Sequence, residues 1–513
     1  MDGGQVSQYY YSPSGLNSPE YLVNSTLSLD LSVSLRPEDV RMRRIEKSAP
    51  KIIRQAIFTD HASSTFYTWG GLIRDVRDPQ TELWKFKADG VGGGSWSTET
   101  EPNHDMGMLR RSYGGAFVST PESGFYFGGM SEETDKASGY DVFVSGFFQF
   151  DYASQQQSWT NHTESPYSSS KTLYSASAHY VPMFGTKGLV MILGGSQWDP
   201  EAPGNLSDIS MEEVSFMDPA TKRWYSQQTS GRAPPRRRWF CTVGANSTGN
   251  TYEIFVFGGE NSGRGFDDVY ILSLPGFIWK QAEYTSKIPR AQMDCVVAGQ
   301  RQMITIGGLD PGAKERYRDR DTFPQGLGVF DLTGLGWKTQ DDAGAAPYET
   351  PDLVKSWYDE GSVLSSAAQT LFLLVRSTAD GRRRNLAQIK YSEGVEDLLN
   401  LSSSGPNVPG GSRSKQLSPG AVGGIAGGSV LGAALVGVVA FLLVRRLRRP
   451  SLRETEAAVA AAKDSDHPSA PASTNLGVSE HHKRPENFEL DAQDPRYQRA
   501  EVHGNHSRVE LPV

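Results

Sequence analysis

Along the first 345 positions the apolar residues come in short runs, many alternating with polar ones, and each run breaks at glycine, proline, asparagine or aspartate. A period of two with that punctuation predicts β-strands joined by turns, not helices. One order of events recurs. An apolar run ends in a glycine pair at Gly70-Gly71 (FYTWGG), Gly128-Gly129 (GFYFGG), Gly194-Gly195 (LVMILGG), Gly258-Gly259 (EIFVFGG) and Gly307-Gly308 (QMITIGG), and Gly3-Gly4 opens the series without its run. A second apolar run follows each pair, often closed by aspartate and a turn, and then comes a tryptophan: Trp96, Trp159, Trp224, Trp279 and Trp337. In the first unit TLSLDLSVSL ends at Leu35, where a tryptophan is expected.

Each unit offers three or four short strands rich in β-branched and aromatic residues, too small to bury a face alone, so stacked neighbours must cover one another. Glycine pairs let the chain leave a strand at backbone angles other residues resist, without a Cβ against the next sheet. The tryptophan supplies a large apolar contact between sheets.

The pattern changes at Ala421 to Val444, which holds no charged residue and is followed at once by Arg445, Arg446, Arg448 and Arg449. A helix over that stretch is roughly 36 Å long at about 1.5 Å per residue, enough for a hydrocarbon core of about 30 Å. It is read as a transmembrane helix. The arginines predict a cytoplasmic C-terminal tail and place the domain before the span outside the cell or in a lumen. Gly423, Gly424, Gly427, Gly428 and Gly432 form overlapping Gly-x-x-x-Gly steps, through which a homodimer is proposed. The expected organisation is a β domain over 1–395, a Ser/Gly/Pro-rich stalk over 396–420, the span over 421–444 and a disordered tail over 445–513.

Charge and cysteine content narrow the classes. The formal net charge is -8, and the acidic excess lies wholly before residue 445, which argues against a nucleic-acid partner. Two cysteines, Cys241 and Cys295, make neither a disulfide scaffold nor a Cys-based zinc site. Sequons at Asn24, Asn161, Asn205, Asn246 and Asn400 stand in polar stretches expected to be loop or turn, and they fit a glycoprotein of the secretory pathway. Asn505 also matches but falls on the cytoplasmic side. The start, Met1-Asp2-Gly3-Gly4-Gln5, has neither a basic nor an apolar leader and is read as truncated.

The six ordered units resemble the kelch-repeat family, whose repeats are four-stranded blades of a β-propeller. More closely, Trp239-Phe240-Cys241, VYILSLPGFIW (269–279), RQMITIGG (301–308) and GVFDLT (328–333) look like the single-span kelch membrane proteins of filamentous fungi. The resemblance implies an all-β propeller, at the plasma membrane or facing the cell wall. This chain departs from the pattern in its start, in Met293 where a histidine is common, and after Pro351, where no last glycine pair occurs. Six blades are favoured, with strands from 362–391 completing the blade begun at Gly3; seven is the alternative.

On that fold, Pro235-Arg236 precedes Cys241 by the offset at which Pro289-Arg290 precedes Cys295, placing both cysteines at equivalent points of adjacent innermost strands. Such points lie near the distance limit for a disulfide, so a bonded pair and two buried thiols both remain open. Catalytic readings fit less well. A galactose-oxidase-like copper site needs two histidines and two tyrosines converging with a cysteine, whereas His61, His104, His162 and His179 sit at different points of different repeats. No Ser-x-Asp-x-Gly turn of a sialidase appears. Neither an enzyme nor a cofactor is expected; a propeller enzyme acting on extracellular carbohydrate is the alternative. Gly92-Gly93-Gly94 lacks the Lys-Ser/Thr of a phosphate loop, Lys314 to Asp321 reads as a solvated loop, and Arg236-Arg237-Arg238 reads as capping or pairing beside a strand.

The loop after each glycine pair and the connector to the next blade should emerge on one face, and both are long here: 72–80, 130–142, 196–213, 260–268 and 309–326, with 97–110, 160–174 and 280–289. That face is the expected binding surface for an extracellular protein or glycan. Trp198, Asp199, Asn261, Arg264, Asp267, Asp310 and Arg316 are its candidate contacts.

Overall fold

The computed structural model describes residues 1–399 apart from 8–9, 13–14, 18–19, 74–82, 100–108, 110, 132–141, 155–156, 167–170, 200–205, 248, 286–288, 314–320 and 361–388. The expected span at 421–444, the tail, all but the first residues of the stalk, and Asn205, Arg316 and Asn400 lie outside the described residues.

Five antiparallel four-stranded meanders follow one another. They run Ala56–Asp60, Thr65–Trp69, Trp84–Ala88, Gly94–Thr98; Ala116–Ser119, Ser123–Phe127, Phe147–Asp151, Ser158–His162; Ser177–Val181, Leu189–Leu193, Glu213–Met217, Trp224–Gln228; Cys241–Asn246, Tyr252–Phe257, Val269–Leu274, Ile278–Gln281; and Ala291–Ala298, Gln302–Leu309, Leu327–Asp331, Gly336–Lys338. Ahead of them Ser25–Ser28 pairs with Arg43–Glu46, and Met1 exchanges backbone bonds with Leu27 (2.9 Å each way). This N-terminal pair is sheet one, and the meanders are sheets two to six.

First strands of sheets two to six adjoin in order. Sheet one touches both ends of that series: Trp96 Nε1 of sheet two donates to Thr26 Oγ1 (2.9 Å), while Met1, Leu29, Leu31, Val40 and Met42 pack on Ala298, Ile304, Ile306 and Leu327 of sheet six. The result is an all-β ring of sheets, the arrangement of a β-propeller. Burial follows position in the ring. Leu189–Leu193 and Tyr252–Phe257 are buried at every residue, because a neighbouring sheet covers each face, whereas Ala56–Asp60 alternates.

The glycine pairs weld the sheets. All five complete pairs have positive φ, as do Gly3 and Gly4. The amide of the second glycine donates to a carbonyl just before the next sheet's first strand: Gly4 to Ile52 (3.2 Å), Gly71 to Ser112 (2.9 Å), Gly129 to Leu173 (2.8 Å), Gly195 to Arg237 (2.9 Å) and Gly259 to Arg290 (2.8 Å). Two residues beyond that carbonyl a further bond runs back to the preceding sheet, from Ser175 to Gly114 (2.7 Å), Trp239 to Ser175 (3.2 Å) and Gln292 to Trp239 (2.9 Å). The repeat tryptophans reach backward too. Trp159 lies 6.3 Å from Trp69, Trp224 5.8 Å from Phe127 and Trp337 5.0 Å from Phe257 by ring centroid, and Trp279 Nε1 donates to Met211 O (3.0 Å).

Cys241 and Cys295 form a disulfide between the first strands of sheets five and six, with Cα atoms 5.6 Å apart. Their positions are not equivalent, as the proline spacing had suggested. The weld bonds align Arg237 with Arg290 and Trp239 with Gln292, so Cys241 stands one residue earlier in its strand than Cys295; the additional Arg236 offsets the two connectors.

After Pro351 the chain forms a helix, Asp352–Glu360. Its Tyr358 is buried, accepting a bond from the Gly276 amide (3.1 Å) and sharing one with Ser273 Oγ (3.0 Å). Of the strands expected over 362–391 only 389–391 are described, and these lie on sheets four and five: Gln227 Nε2 donates to Lys390 O (3.1 Å) and Tyr391 OH to Pro275 O (3.1 Å). Val395 and Leu399 are buried in the same cluster, so the packed body runs past the expected boundary at 395. Among the described residues no helix is long and apolar enough to cross a membrane.

Candidate binding face

In an antiparallel meander, the loops after the glycine pairs and the connectors between sheets leave on one face, and the first and third hairpin turns on the other. The face carrying the glycine-pair loops holds an aromatic chain that begins at Trp198. This residue ends the strand Ser196–Trp198, pairs with Thr172 and Leu206, and stacks on Phe143 at 4.5 Å and 10°. Phe143 meets the edge of Tyr174 (6.2 Å), and Tyr174 that of Trp239 (5.3 Å). Arg54 closes the group: its guanidinium lies 5.2 Å from the Tyr113 ring and 5.1 Å from the Trp239 ring, and Nη1 donates to Tyr174 OH (3.1 Å). Flat, weakly hydrated guanidinium suits such a cradle.

Phe143, Tyr113, Tyr174, Trp239 and Arg54 were not among the residues picked from sequence. Their common signal is positional. Arg54, Gly114, Ser175, Trp239 and Gln292 all have positive φ between 57° and 69°, marking the corner where each connector turns into a first strand, and most of these aromatics occupy or precede a corner.

The sequence-picked residues lie along a rim that continues from Trp198. Asp199 pairs with Lys171 (3.2 Å). Arg236 donates to the Asp208 carbonyl, and its own carbonyl accepts from Asn261 Nδ2 (3.0 Å). Arg264, exposed on the small hairpin of Glu260–Asn261 and Arg264–Gly265, lies 5.7 Å over Phe266. A Cβ on Gly265 would stand 2.7 Å from both Pro289 and Pro311, which brings Asp310 to the same hairpin. Some of these groups are occupied locally: the Asp267 carbonyl accepts from Tyr284 OH, and Asp310 Oδ1 accepts from the Gly312 amide (2.8 Å). Trp198 and Phe143 form an aromatic platform, bordered by the Lys171–Asp199 pair and, along the rim, by the exposed Arg264.

Beneath the rim, Arg237 and Arg290 form matching clamps. Arg237 is fully buried; Nη1 donates to Gly258 O (2.9 Å), the fork pairs with Asp268, and the guanidinium lies 4.0 Å over Phe266. Arg290 bonds Gly307 O, pairs with Asp321 and lies 4.2 Å over Phe323. Arg238 meets Glu260 at 3.8 Å, so all three arginines of 236–238 are engaged within the loops.

The described histidines are dispersed. His162 stacks on Phe147 at 4.5 Å, and burial lowers its pKa. His179 shares a bond with Tyr252 OH (3.0 Å), and loss of water depresses its pKa to about 4. Among the described residues no group of three His, Cys, Asp or Glu side chains converges as a metal site would require. Asn24, Asn161 and Asn246 are exposed. Asn161 lies in the outer strand Ser158–His162 and Asn246 ends Cys241–Asn246, where loop or turn had been expected.

No family model matches the chain. It is similar to a kelch repeat-containing protein of Arthroderma benhamiae, with 25% identity over 495 residues covering 82% of this chain and 70% of that one. The welded ring of four-stranded sheets and this likeness together support a kelch-repeat architecture.

Proposed function

We propose that the chain is a non-enzymatic binding module, tethered by the span at 421–444 as a single-pass glycoprotein of the plasma membrane, whose glycine-pair loop face engages an extracellular protein or glycan. One observation carries the binding assignment: the Trp198–Phe143 stack on that face, bordered by the Lys171–Asp199 pair. Planar aromatics with a few fixed polar neighbours supply contact area at low entropic cost. The likeness to a kelch repeat-containing protein favours the interaction reading. Glycan and protein arrays probed with the full-length protein in detergent test it. A ligand whose binding falls at least about tenfold in Trp198→Ala, near the 1.4 kcal/mol expected of an anchor residue, with an unchanged melting temperature, supports the reading. Binding unaffected by that change, or turnover of a sugar substrate, overturns it. Self-association through the span is part of the proposal, and a transmembrane association assay in which Gly424→Ile and Gly428→Ile leave the signal unchanged dismisses it.

A further inference from the structure

A buried polar cluster in sheet five takes no part in the binding face. Glu253, on the second strand, and its cross-strand partner Ser273, on the third, are both fully buried. Ser247 and Thr251 close the turn ahead of that second strand (3.2 Å). The other members come from one later stretch, 348–360, which carries Tyr348, Thr350 and, on the helix Asp352–Glu360, Tyr358. This strap is laid on sheet five by its hydroxyls. Tyr348 OH donates to Glu253 Oε2 (2.9 Å), Ser273 Oγ donates to Oε1 (2.8 Å), and Tyr358 OH shares a bond with Ser273 Oγ (3.0 Å) while accepting from the Gly276 amide (3.1 Å). Thr350 Oγ1 has one proton for two acceptors, Ser247 Oγ at 2.6 Å and Glu253 Oε2 at 3.3 Å. The carboxyl thus sits among neutral hydroxyls with, among the described residues, no cation, and Tyr348, Thr350 and Tyr358, each at most 5% exposed, stand between it and water.

We propose that the strap 348–360 is a proton-dependent latch, held on sheet five while Glu253 is protonated and lifted from it as the carboxyl ionises. With the strap down, the carboxylate has exchanged water for a few neutral donors, and a buried charge without a counter-charge is costly. With the strap lifted, water reaches it. The closed form therefore prefers the neutral acid and the open form the carboxylate. Burial is the largest influence on Glu253 and raises its pKa despite the hydroxyls of Thr251, Ser273, Tyr348 and Thr350. The sign follows: the strap's hold is full below the ordinary carboxylate pKa and is lost as pH rises through the raised one. Neighbouring groups do not titrate in that range. Burial raises Tyr348, Tyr358 and the adjacent Tyr252 above the ordinary phenol value, so all three keep their protons. The strap's own charges stand at its outer side, where Lys355 meets Glu349 (3.3 Å) and Asp352 (3.6 Å) and Asp359 is exposed.

The test is hydrogen exchange by mass spectrometry on the full-length protein in detergent from pH 4 to 8, read as protection factors, which divide out the intrinsic pH dependence of exchange. Protection of 352–360 should fall at least about tenfold across that range, the effect of one pKa unit between closed and open forms, while Leu189–Leu193 of sheet four keeps its own. In Glu253→Gln, whose neutral amide stands in for the protonated acid, 352–360 should stay protected throughout. Constant protection of the strap in the parent overturns the proposal. So does a fall that sheet four shares equally, or one of the same size in Glu253→Gln. Should that variant not fold, Tyr348→Phe decides: it removes the strap's donor to the carboxylate and should deepen the fall several-fold, because the closed form then holds the charge less well, and a fall left unchanged or made smaller overturns the proposal.

Discussion

At Gly128 the backbone sits at φ 65°, and a Cβ would stand 2.3 Å from the Leu173 carbonyl oxygen. Two penalties coincide there, strain in the left-handed region and a clash with the backbone that the neighbouring amide of Gly129 is welded to. Gly128→Ala should therefore cost at least about 1–3 kcal/mol, whereas Gly336→Ala, whose Cβ meets nothing nearer than 3.9 Å, should change stability little; urea midpoints of the two variants check this. Arg237 poses a different problem, since its removal leaves the Gly258 carbonyl and Asp268 without their donor. Breaking such a buried pair costs about 3–5 kcal/mol, and Arg237→Lys should recover little because an ammonium reproduces neither the fork nor the stack on Phe266. Glu253 is buried with no cation against it among the described residues, accepting from Ser273 Oγ (2.8 Å), Tyr348 OH (2.9 Å) and Thr350 Oγ1 (3.3 Å). Burial, the largest influence, raises its pKa above the ordinary carboxylate value despite those donors. An acid with a raised folded pKa binds its proton more tightly when folded, so its stability contribution is full below the unfolded pKa and falls as pH rises through the folded one. Glu253→Gln should remove that fall: melting temperatures measured from pH 4 to 8 should decline less toward high pH than those of the parent, and parallel curves would reject the assignment.

Between strands, the Cys241–Cys295 bond ties the first strands of sheets five and six across 54 residues of sequence. A loop of that length corresponds to about 4 kcal/mol by chain entropy. Cys241→Ser with Cys295→Ser should lower the unfolding free energy by about 2–4 kcal/mol and leave the far-UV circular dichroism unchanged. The same scale shows what a reader of the sequence can and cannot see. Glycine pairs and tryptophans were legible because each repeats its local task at a fixed place, and local backbone conformation together with large apolar surface writes itself into composition. The helix Asp352–Glu360 was not legible, since it is settled by Tyr358 meeting Ser273 and Gly276, more than eighty residues away. Nor was the cradle of Arg54, assembled from corners of four different connectors whose shared feature is a φ value. The mis-set cysteine register has a like origin: one extra arginine in a connector leaves motif spacing looking intact while moving the strand by one residue.

Taken as a molecule, the ring is closed by side chains from sheet one against sheet six and keeps its glycine-pair loops on one face, while Gly185, in a hairpin turn on the other, donates to Leu398 O (3.0 Å). The chain thus departs toward residue 400 from the side opposite the aromatic platform. On the proposed topology a tether leaving there would keep the glycine-pair loop face unobstructed, and that topology has an experimental consequence. Full-length protein should stay with membranes after alkaline carbonate washing, while a version with Leu435→Lys and Val439→Lys should be released, since each charge placed within the apolar stretch costs about 2.5–3.5 kcal/mol of insertion. Asn161, exposed on an outer strand, should carry a glycan if the ring has crossed the membrane. Asn161→Gln should then remove one step of the glycosidase-sensitive mobility shift, and Asn505→Gln should remove none, because the proposed orientation puts that residue on the cytoplasmic side. A shift lost with Asn505 and kept with Asn161 would reverse the orientation, and carbonate release of the unaltered protein would remove the membrane from the account altogether.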